Sequence, residues 1–182
     1  MSLARYLASL LNSSGQVESP KLASASVTQP KVAPGVAGNG PAFHAYMSNT
    51  QGISATTFTN VAFNAEVFDT ASCFNNTGST VGGIPAYAFL PNVAGYYQFN
   101  VGVYNQAANQ VNIIRLYKNG AYDRELLRLF LASAPTLNGA GLVYLNGTTD
   151  YIQIYFYCSA ATTVGSNDGA LVWFQAALAR AA

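Results

Sequence analysis

The chain has 182 residues, of which 51% are hydrophobic and only 8% charged, with a formal net charge of +1; an average soluble domain is roughly 25% charged. The eight basic residues are scattered, and no apolar run approaches the ~20 residues of a membrane span, so the sequence argues against nucleic-acid binding and against a membrane protein. We expect such an uncharged chain to bury apolar surface between copies in an obligate oligomer.

Residues 2–11 have the apolar spacing of a short amphipathic helix, with Ser2 as its N-cap. A helix of about 10 residues is marginal alone, so it should form only when its apolar face packs on something. Two interpretations stay open: the helix forms a self-contained trimeric coil or docks on the chain's own globular part, or it anchors the chain in a partner protein. The apolar face consists of Leu3, Tyr6, Leu7, Leu10 and Leu11.

Residues 12–40 have the composition of a linker, and four of the seven prolines fall between Pro20 and Pro41. Such a segment cannot bury enough apolar area to offset its ordering entropy alone. About 29 residues can span roughly 95 Å when extended. We expect an arm that lies against a neighbouring surface, with residues 1–40 as the anchoring part and residues 41–182 as a globular domain.

From Pro41 onward, short apolar runs recur about every ten residues between Gly, Asn, Thr and Pro, which is typical of an all-β sandwich or barrel. Asn119-Gly120 and Asn146-Gly147 are predicted as hairpin turns. Residues 122–131 could also form a helix, but their place after a hairpin turn favours a strand. The predicted strands are residues 42–47, 55–58, 61–63, 86–89, 95–104, 111–117, 122–131, 141–145, 151–159 and 170–179.

Two of these strands alternate strictly, which predicts one buried and one open face. In residues 95–104 the inward set is predicted to be Tyr97, Phe99, Val101 and Val103, and the outward set includes Tyr96, Gln98 and Asn100, with Tyr104 nearby. In residues 151–158 the inward set is predicted to be Ile152, Ile154, Phe156 and Cys158, and the outward set is Tyr151, Gln153, Tyr155 and Tyr157. This tyrosine stripe suits either a neighbouring subunit or a stacking platform for a host glycan or receptor.

No catalytic or metal site, and no cofactor, is predicted. The single histidine, His44, sits in an alternating strand, where a core or interface role outweighs a catalytic one. One histidine and two cysteines are a poor zinc set, and Cys73 and Cys158 are predicted as buried free thiols, although a pairing between them stays open. The acidic residues show no glycosidase-like pair. Those at positions 123 and 125 predict an ion-pair cluster with Arg124 and Arg128.

Five residues, Phe89, Pro91, Gly95, Tyr97 and Phe99, form the pattern F-x-P-x-x-x-G-x-Y-x-F. This pattern resembles the signature of the C1q-like globular domain, a relative of the tumour-necrosis-factor jelly roll. The resemblance covers residues 41–180 and includes an element opened by Asp150. It implies a jelly roll of about ten strands that assembles as a homotrimer, and it makes Tyr96, Gln98, Asn100 and Tyr104 the candidates for contact around the threefold axis. A collagen stalk is absent, and "LVWFQ" replaces the usual last-strand motif.

The N-terminal "SLARYLASLLNSSGQVESPKLA" resembles the start of virion-associated proteins of tailed bacteriophages. Together the two resemblances imply a non-enzymatic virion protein on the particle surface, made in the host cytoplasm. One expectation is a trimeric capsid decoration or cement protein, held to the major capsid protein by residues 1–40. The alternative is the receptor-binding head of a tail or capsid fibre, docked through the same residues to a fibre base and contacting a host surface glycan or receptor.

Overall fold

The computed structural model describes residues 40–134, 136–165 and 171–182, so the predicted anchor helix and nearly all of the arm lie outside the described residues. The described residues form eleven strands and no helix. The strands are β1 (Ala42–Tyr46), β2 (Gln51–Ile53), β3 (Thr59–Asn60), β4 (Ala65–Asp69), β5 (Gly95–Tyr104), β6 (Gln110–Lys118), β7 (Ala121–Leu131), β8 (Thr136–Leu145), β9 (Ile152–Cys158), β10 (Thr162–Val164) and β11 (Trp173–Ala181).

Two antiparallel sheets face each other across one core. The first has the order β4-β1-β11-β5-β8, the second the order β3-β9-β6-β7, and β10 and β2 form a separate two-stranded sheet. Strands that are distant in sequence are paired within each sheet, as in the pairing of β1 with β11. The all-β sandwich predicted from the sequence is therefore confirmed.

The core is filled by the alternating residues of β5 and β9. All eight side chains predicted to point inward from these two strands are fully buried. Phe43 adds the aromatic centre, with its ring 4.5 Å from that of Phe74, 4.6 Å from Phe89 and 5.0 Å from Phe174. Phe174 lies in the divergent last-strand motif, so "LVWFQ" still supplies a core aromatic residue.

The two Asn-Gly pairs play different roles. Asn119 and Gly120 both have positive φ, 54° and 77°, and connect the paired ends of β6 and β7, which confirms the predicted hairpin. The prediction for Asn146-Gly147 is wrong, because β8 pairs with β5 whereas β9 pairs with β6 and β3. This turn carries the chain from one sheet to the other, with the Asn146 side-chain oxygen accepting hydrogen bonds from the backbone N–H groups of residues 148–150.

Several short predicted strands are absent. Residues 55–58 contain a turn with Thr56 at φ 56°, and residues 61–63 form no strand although Val61 and Phe63 are fully buried. Residues 86–89 contribute only two isolated bridges, from Phe89 to Phe74 and to Ile152. In contrast, β2, β3, β4 and β10 were not predicted. The strand at residues 122–131 is confirmed as β7.

Both cysteines are buried free thiols, as predicted. Burial raises the pKa of Cys73 above its ordinary value, which disfavours the reactive thiolate. The long segment between β4 and β5 is organised by the buried Asn75. Its side-chain NH2 group donates to the carbonyl oxygens of Ser79, Ile84 and Pro85, at 2.7, 2.8 and 3.1 Å.

Candidate interaction surface

The outer face of the five-stranded sheet is almost uncharged along β1, β5, β8 and β11. Among the outward positions of the described strands β1, β5, β8 and β11, the one charged residue is Arg180, at one end of the sheet. Tyr96, Leu142 and Tyr144 remain 44%, 47% and 41% exposed. Tyr96 and Tyr144 are cross-strand partners with ring centroids 5.5 Å apart. An aromatic and aliphatic cluster of this kind is typical of a protein interface.

The structure brings together three of the four residues predicted for the threefold axis. Tyr96, Gln98 and Asn100 lie along the outer face of β5. Tyr104 is half-buried against the core, and eight residues separate it from Tyr96, roughly 26 Å along a strand. Leu142 and Tyr144, which sequence reasoning missed, lie beside Gln98 and Tyr96 on β8. Alternation in residues 141–145 was a usable signal for them.

A recess of about 250 Å³ opens on the same face, over the cross-strand pair Ala42 and Ala177. Its floor is low because alanine side chains end at Cβ. Taller side chains form the walls. The lining consists of Ala42, Phe43, Phe68, Gln98, Asn100, Gln175, Ala176 and Ala177.

An aromatic row crosses the outer face next to the recess. The His44 ring lies edge-on to Phe68 and to Trp173, with centroids 6.3 and 6.4 Å away. Trp173 lies over Gly102, where an added Cβ would come within 2.5 Å of its ring nitrogen. His44 therefore faces outward rather than into the core, in an aromatic setting with no acidic partner in hydrogen-bond contact among the described residues.

Two cations from the opposite sheet donate hydrogen bonds to backbone carbonyl groups on the free edge of β8. Arg124 donates to the carbonyl oxygen of Leu142 at 3.2 Å, and Lys118 donates to that of Tyr144 at 2.9 Å. Lys118 also forms an ion pair with Asp150 at 2.8 Å. Desolvation raises the pKa of Asp150, but hydrogen bonds from Lys118 and Asn119 outweigh it and hold that pKa below its ordinary value.

The second sheet presents the predicted tyrosine stripe, but most of the stripe is covered. Gln153 is only 6% exposed and donates to the carbonyl oxygen of Ala86. Tyr155 stacks on Tyr117 with centroids 3.9 Å apart, and burial raises its pKa. Tyr157 packs on Phe58 at 5.1 Å, and Tyr151 is half-buried. The four residues lie on one face, as predicted, but not as an open platform.

The part of this face that stays open surrounds Arg115. Its guanidinium lies 4.0 Å from the ring centre of Phe58 and 4.6 Å from that of Tyr122, a cation–π arrangement on both sides. The predicted ion pairs are present: Arg124 pairs with Asp123, and Glu125 accepts from Arg128 at 2.8 and 2.9 Å. Arg115, which was not predicted, also donates to Glu125 at 3.4 Å. The hydrogen bond from Arg128 is the largest cause that lowers the pKa of Glu125.

Within the described ranges, no cluster of three or more His, Cys, Asp or Glu side chains could hold a metal ion. The same part of the chain contains no helix long and apolar enough to cross a membrane.

The sandwich with this strand order has the C1q/TNF-like jelly-roll fold. The globular domain of zebrafish complement 1qA is similar, with 17% identity, a TM-score of 0.51 and coverage of 78% of this chain and 99% of that one. The crystal structure of murine APRIL at pH 8.5 is also similar, with 14% identity and a TM-score of 0.52, over 75% of this chain and 96% of that one. Vertex protein P5 of bacteriophage PRD1 is similar as well, with 16% identity and a TM-score of 0.51, over 76% of this chain and 96% of that one. No protein-family model and no curated protein sequence matches this chain.

Proposed function

We propose that this protein is a non-enzymatic structural protein of a bacteriophage particle, a homotrimeric decoration or cement protein on the capsid surface. The observation that carries the proposal is the nearly uncharged outer face of the five-stranded sheet, with Tyr96, Leu142 and Tyr144 exposed. The similarity of the fold to that of a phage vertex protein supports a place on the particle.

The outer face of the five-stranded sheet and the fold both support the proposed trimer. Exposed apolar patches of this kind are rare on monomers and mark association sites. The C1q/TNF-like resemblance implies three copies, and the face of β5 with Gln98 and Asn100 at its centre would line their contact. Such a face needs no ion pairs to associate, because burying uncharged side chains avoids the desolvation cost of charges.

Our proposal places attachment in residues 1–40, through the apolar face of the helix predicted from the sequence and through the proline-rich segment that follows it. The partner would be the major capsid protein. Deleting residues 1–40 should leave a soluble trimer that no longer binds particles stripped of this protein, measured by co-sedimentation. A truncated trimer that still binds at full occupancy would refute the anchoring role.

A receptor-binding fibre head is the second candidate function, and one feature favours it. The Phe58–Arg115–Tyr122 stack presents an exposed aromatic ring, since Tyr122 is 53% exposed, beside the Glu125 and Arg128 ion pair. Aromatic faces next to polar groups can stack on sugars or on protein side chains.

Adsorption of the isolated domain to host cells, and its loss in Tyr122→Ala, would support this second function. Protein stoichiometry in the native particle separates the two functions, because a capsid decoration protein is present in many more copies than a fibre head.

A further inference from the structure

We propose that the outer face of the four-stranded sheet binds a uronic acid residue of a polysaccharide, with the carboxylate held by Arg115 and Arg128 and the sugar ring packed on Tyr122. Receptor recognition, the second candidate function, is the basis of this assignment, which adds the chemical class of the ligand.

Arg115 is held in a fixed orientation but uses few of its hydrogen-bond donors. The rings of Phe58 and Tyr122 lie on its two sides, 4.0 and 4.6 Å from the guanidinium carbon. A guanidinium group has five N–H donors, and Arg115 makes one hydrogen bond among the described residues, from Nη2 to Glu125 at 3.4 Å. Its Nε is buried without a partner, whereas Nη1 is unpartnered but not buried. Because the stacked side chain is already ordered, a further acceptor at Nη1 costs little additional entropy.

Arg128 supplies a second guanidinium group with a free end. Its Nε and Nη2 donate to the two carboxylate oxygens of Glu125 at 2.9 and 2.8 Å, and its Nη1 has no partner among the described residues. The Arg128 side chain is half exposed. Glu125 also accepts from Arg115, so two guanidinium groups share one carboxylate and the cluster keeps an excess positive charge. A ligand that brings one more carboxylate complements this charge, and hydrogen bonds between arginine and carboxylate are among the strong ones.

Tyr122 favours an acidic sugar over an acidic peptide. Its side chain is 53% exposed and lies directly beside the Arg115 guanidinium. In a uronic acid the carboxylate is attached to the pyranose ring itself, so a carboxylate bound by the two arginines brings the C–H face of the ring to the aromatic surface. An aspartate or glutamate side chain carries no ring to place there. A neutral sugar could pack on Tyr122 but would leave the excess charge uncompensated.

The site leaves the face proposed for the trimer free. β6 and β7 belong to the four-stranded sheet, whereas the exposed Tyr96 and Leu142 lie on the five-stranded sheet. Each copy in a homotrimer would therefore offer one site. A polysaccharide that repeats its acidic residue can occupy more than one of these sites, which raises the overall affinity without any new contact.

Calorimetric titration of the full chain with trimers of galacturonic acid and of mannuronic acid tests the ligand class. The methyl ester of each trimer is the matched control, because it keeps the sugar rings and replaces every carboxylate with a neutral ester. At least one acid should bind, with an affinity that falls as salt is added, and its ester should bind at least about tenfold more weakly. Binding of neither acid, or equal binding of an acid and its ester, overturns the proposal.

Variants locate the site. Arg128→Gln and Tyr122→Ala change exposed side chains and should each lower the affinity for the acid about tenfold, with an unchanged circular dichroism spectrum. The matched controls should leave it within about twofold. They are Arg180→Gln, which removes a charge from an exposed position on the other sheet, and Phe130→Ala, which removes an exposed aromatic ring eight residues further along β7. Equal losses in variants and controls would place binding elsewhere.

Two further measurements separate this ligand from other receptors. A tetraglutamate peptide that binds as tightly as the acid, with no loss in Tyr122→Ala, would replace the sugar with an acidic protein segment. If the full chain adsorbs to host cells and Tyr122→Ala abolishes adsorption, but no uronic acid trimer binds or competes, the ligand class is wrong and the receptor function stands. Absence of both adsorption and uronic acid binding refutes both.

Discussion

At the scale of single residues, Asn75 shows how one buried amide can organise a long uncharged loop. Its side-chain NH2 group bonds three carbonyl oxygens, and its oxygen accepts from the backbone N–H and the hydroxyl of Thr77. These bonds replace a regular strand between residues 74 and 85. No local turn motif predicts these bonds, because the carbonyl groups lie up to ten residues away from Asn75 in sequence.

Asn75→Ala should therefore lower the free energy of unfolding by about 2–4 kcal/mol, because it leaves several carbonyl groups without a partner. Urea denaturation monitored by tryptophan fluorescence measures the change. Asn76→Ala is the matched control, since the Asn76 side chain has no hydrogen-bond partner among the described residues, and should change stability by less than about 0.5 kcal/mol. Equal effects in both variants would contradict the role of Asn75.

Asp150 predicts a pH dependence of stability. Its pKa is lower in the folded chain than in the unfolded one, so its contribution is present above the unfolded-state pKa of about 3.9 and disappears as the pH falls through the folded-state value. When the pH falls from about 5 to about 2, the free energy of unfolding should decrease less in the Asp150→Asn variant than in the wild type. Denaturant melts across that range give the slope, and parallel slopes would refute the assignment.

At the scale of elements, strict alternation identified the two strands that have one face buried along their whole length, whereas β7 was identified from its place after a hairpin turn. β5 and β9 alternate over ten and seven residues, and each has a fully buried inner face. Sequence reasoning missed β4 and β10, because they span only five and three residues and show no regular alternation of apolar residues. Local turn chemistry likewise predicted a turn at Asn146-Gly147, but it could not predict which strands the turn connects to. β8 pairs with β5 rather than with β9, and that pairing depends on residues far from the turn in sequence.

The recess and the covered tyrosine stripe could not have been predicted for the same reason. The recess combines residues of β1, β4, β5 and β11, whose register no local pattern encodes. The stripe is covered by Phe58 and by the Ala86 carbonyl group, both from loops. Alternation correctly placed Tyr155 and Tyr157 on the outward face, but it contains no information about what packs there.

The β6–β7 hairpin depends on Gly120. With φ at +77° and a hypothetical Cβ 3.1 Å from the Tyr151 hydroxyl, Gly120→Ala should cost about 1–2 kcal/mol of stability. Gly52→Ala is the comparison: Gly52 lies in a strand with open space at the Cβ position, so that change should be neutral or slightly stabilising. Thermal unfolding of the two variants measures the difference, and equal melting temperatures would contradict it.

At the scale of the whole molecule, the low charge of the chain and its exposed apolar side chains both favour association between copies. A chain that is only 8% charged buries its aromatic residues first between two sheets and then, by our proposal, between copies. Stability should then depend on concentration, because dilution favours separated chains. A tenfold increase in protein concentration should raise the melting temperature by about 2–4 °C, measured by calorimetry over two orders of magnitude. A constant melting temperature would show that the fold is complete in one chain.

The cations that contact the edge of β8 have a consequence for the crowded particle surface proposed above. An uncovered strand edge invites the backbone of any nearby copy to extend the sheet, and that danger is greatest where many copies are held within a few nanometres of each other. Arg124 and Lys118 occupy two of the carbonyl groups on that edge. On the particle surface that we propose, these two side chains would oppose the addition of a strand from a neighbouring copy.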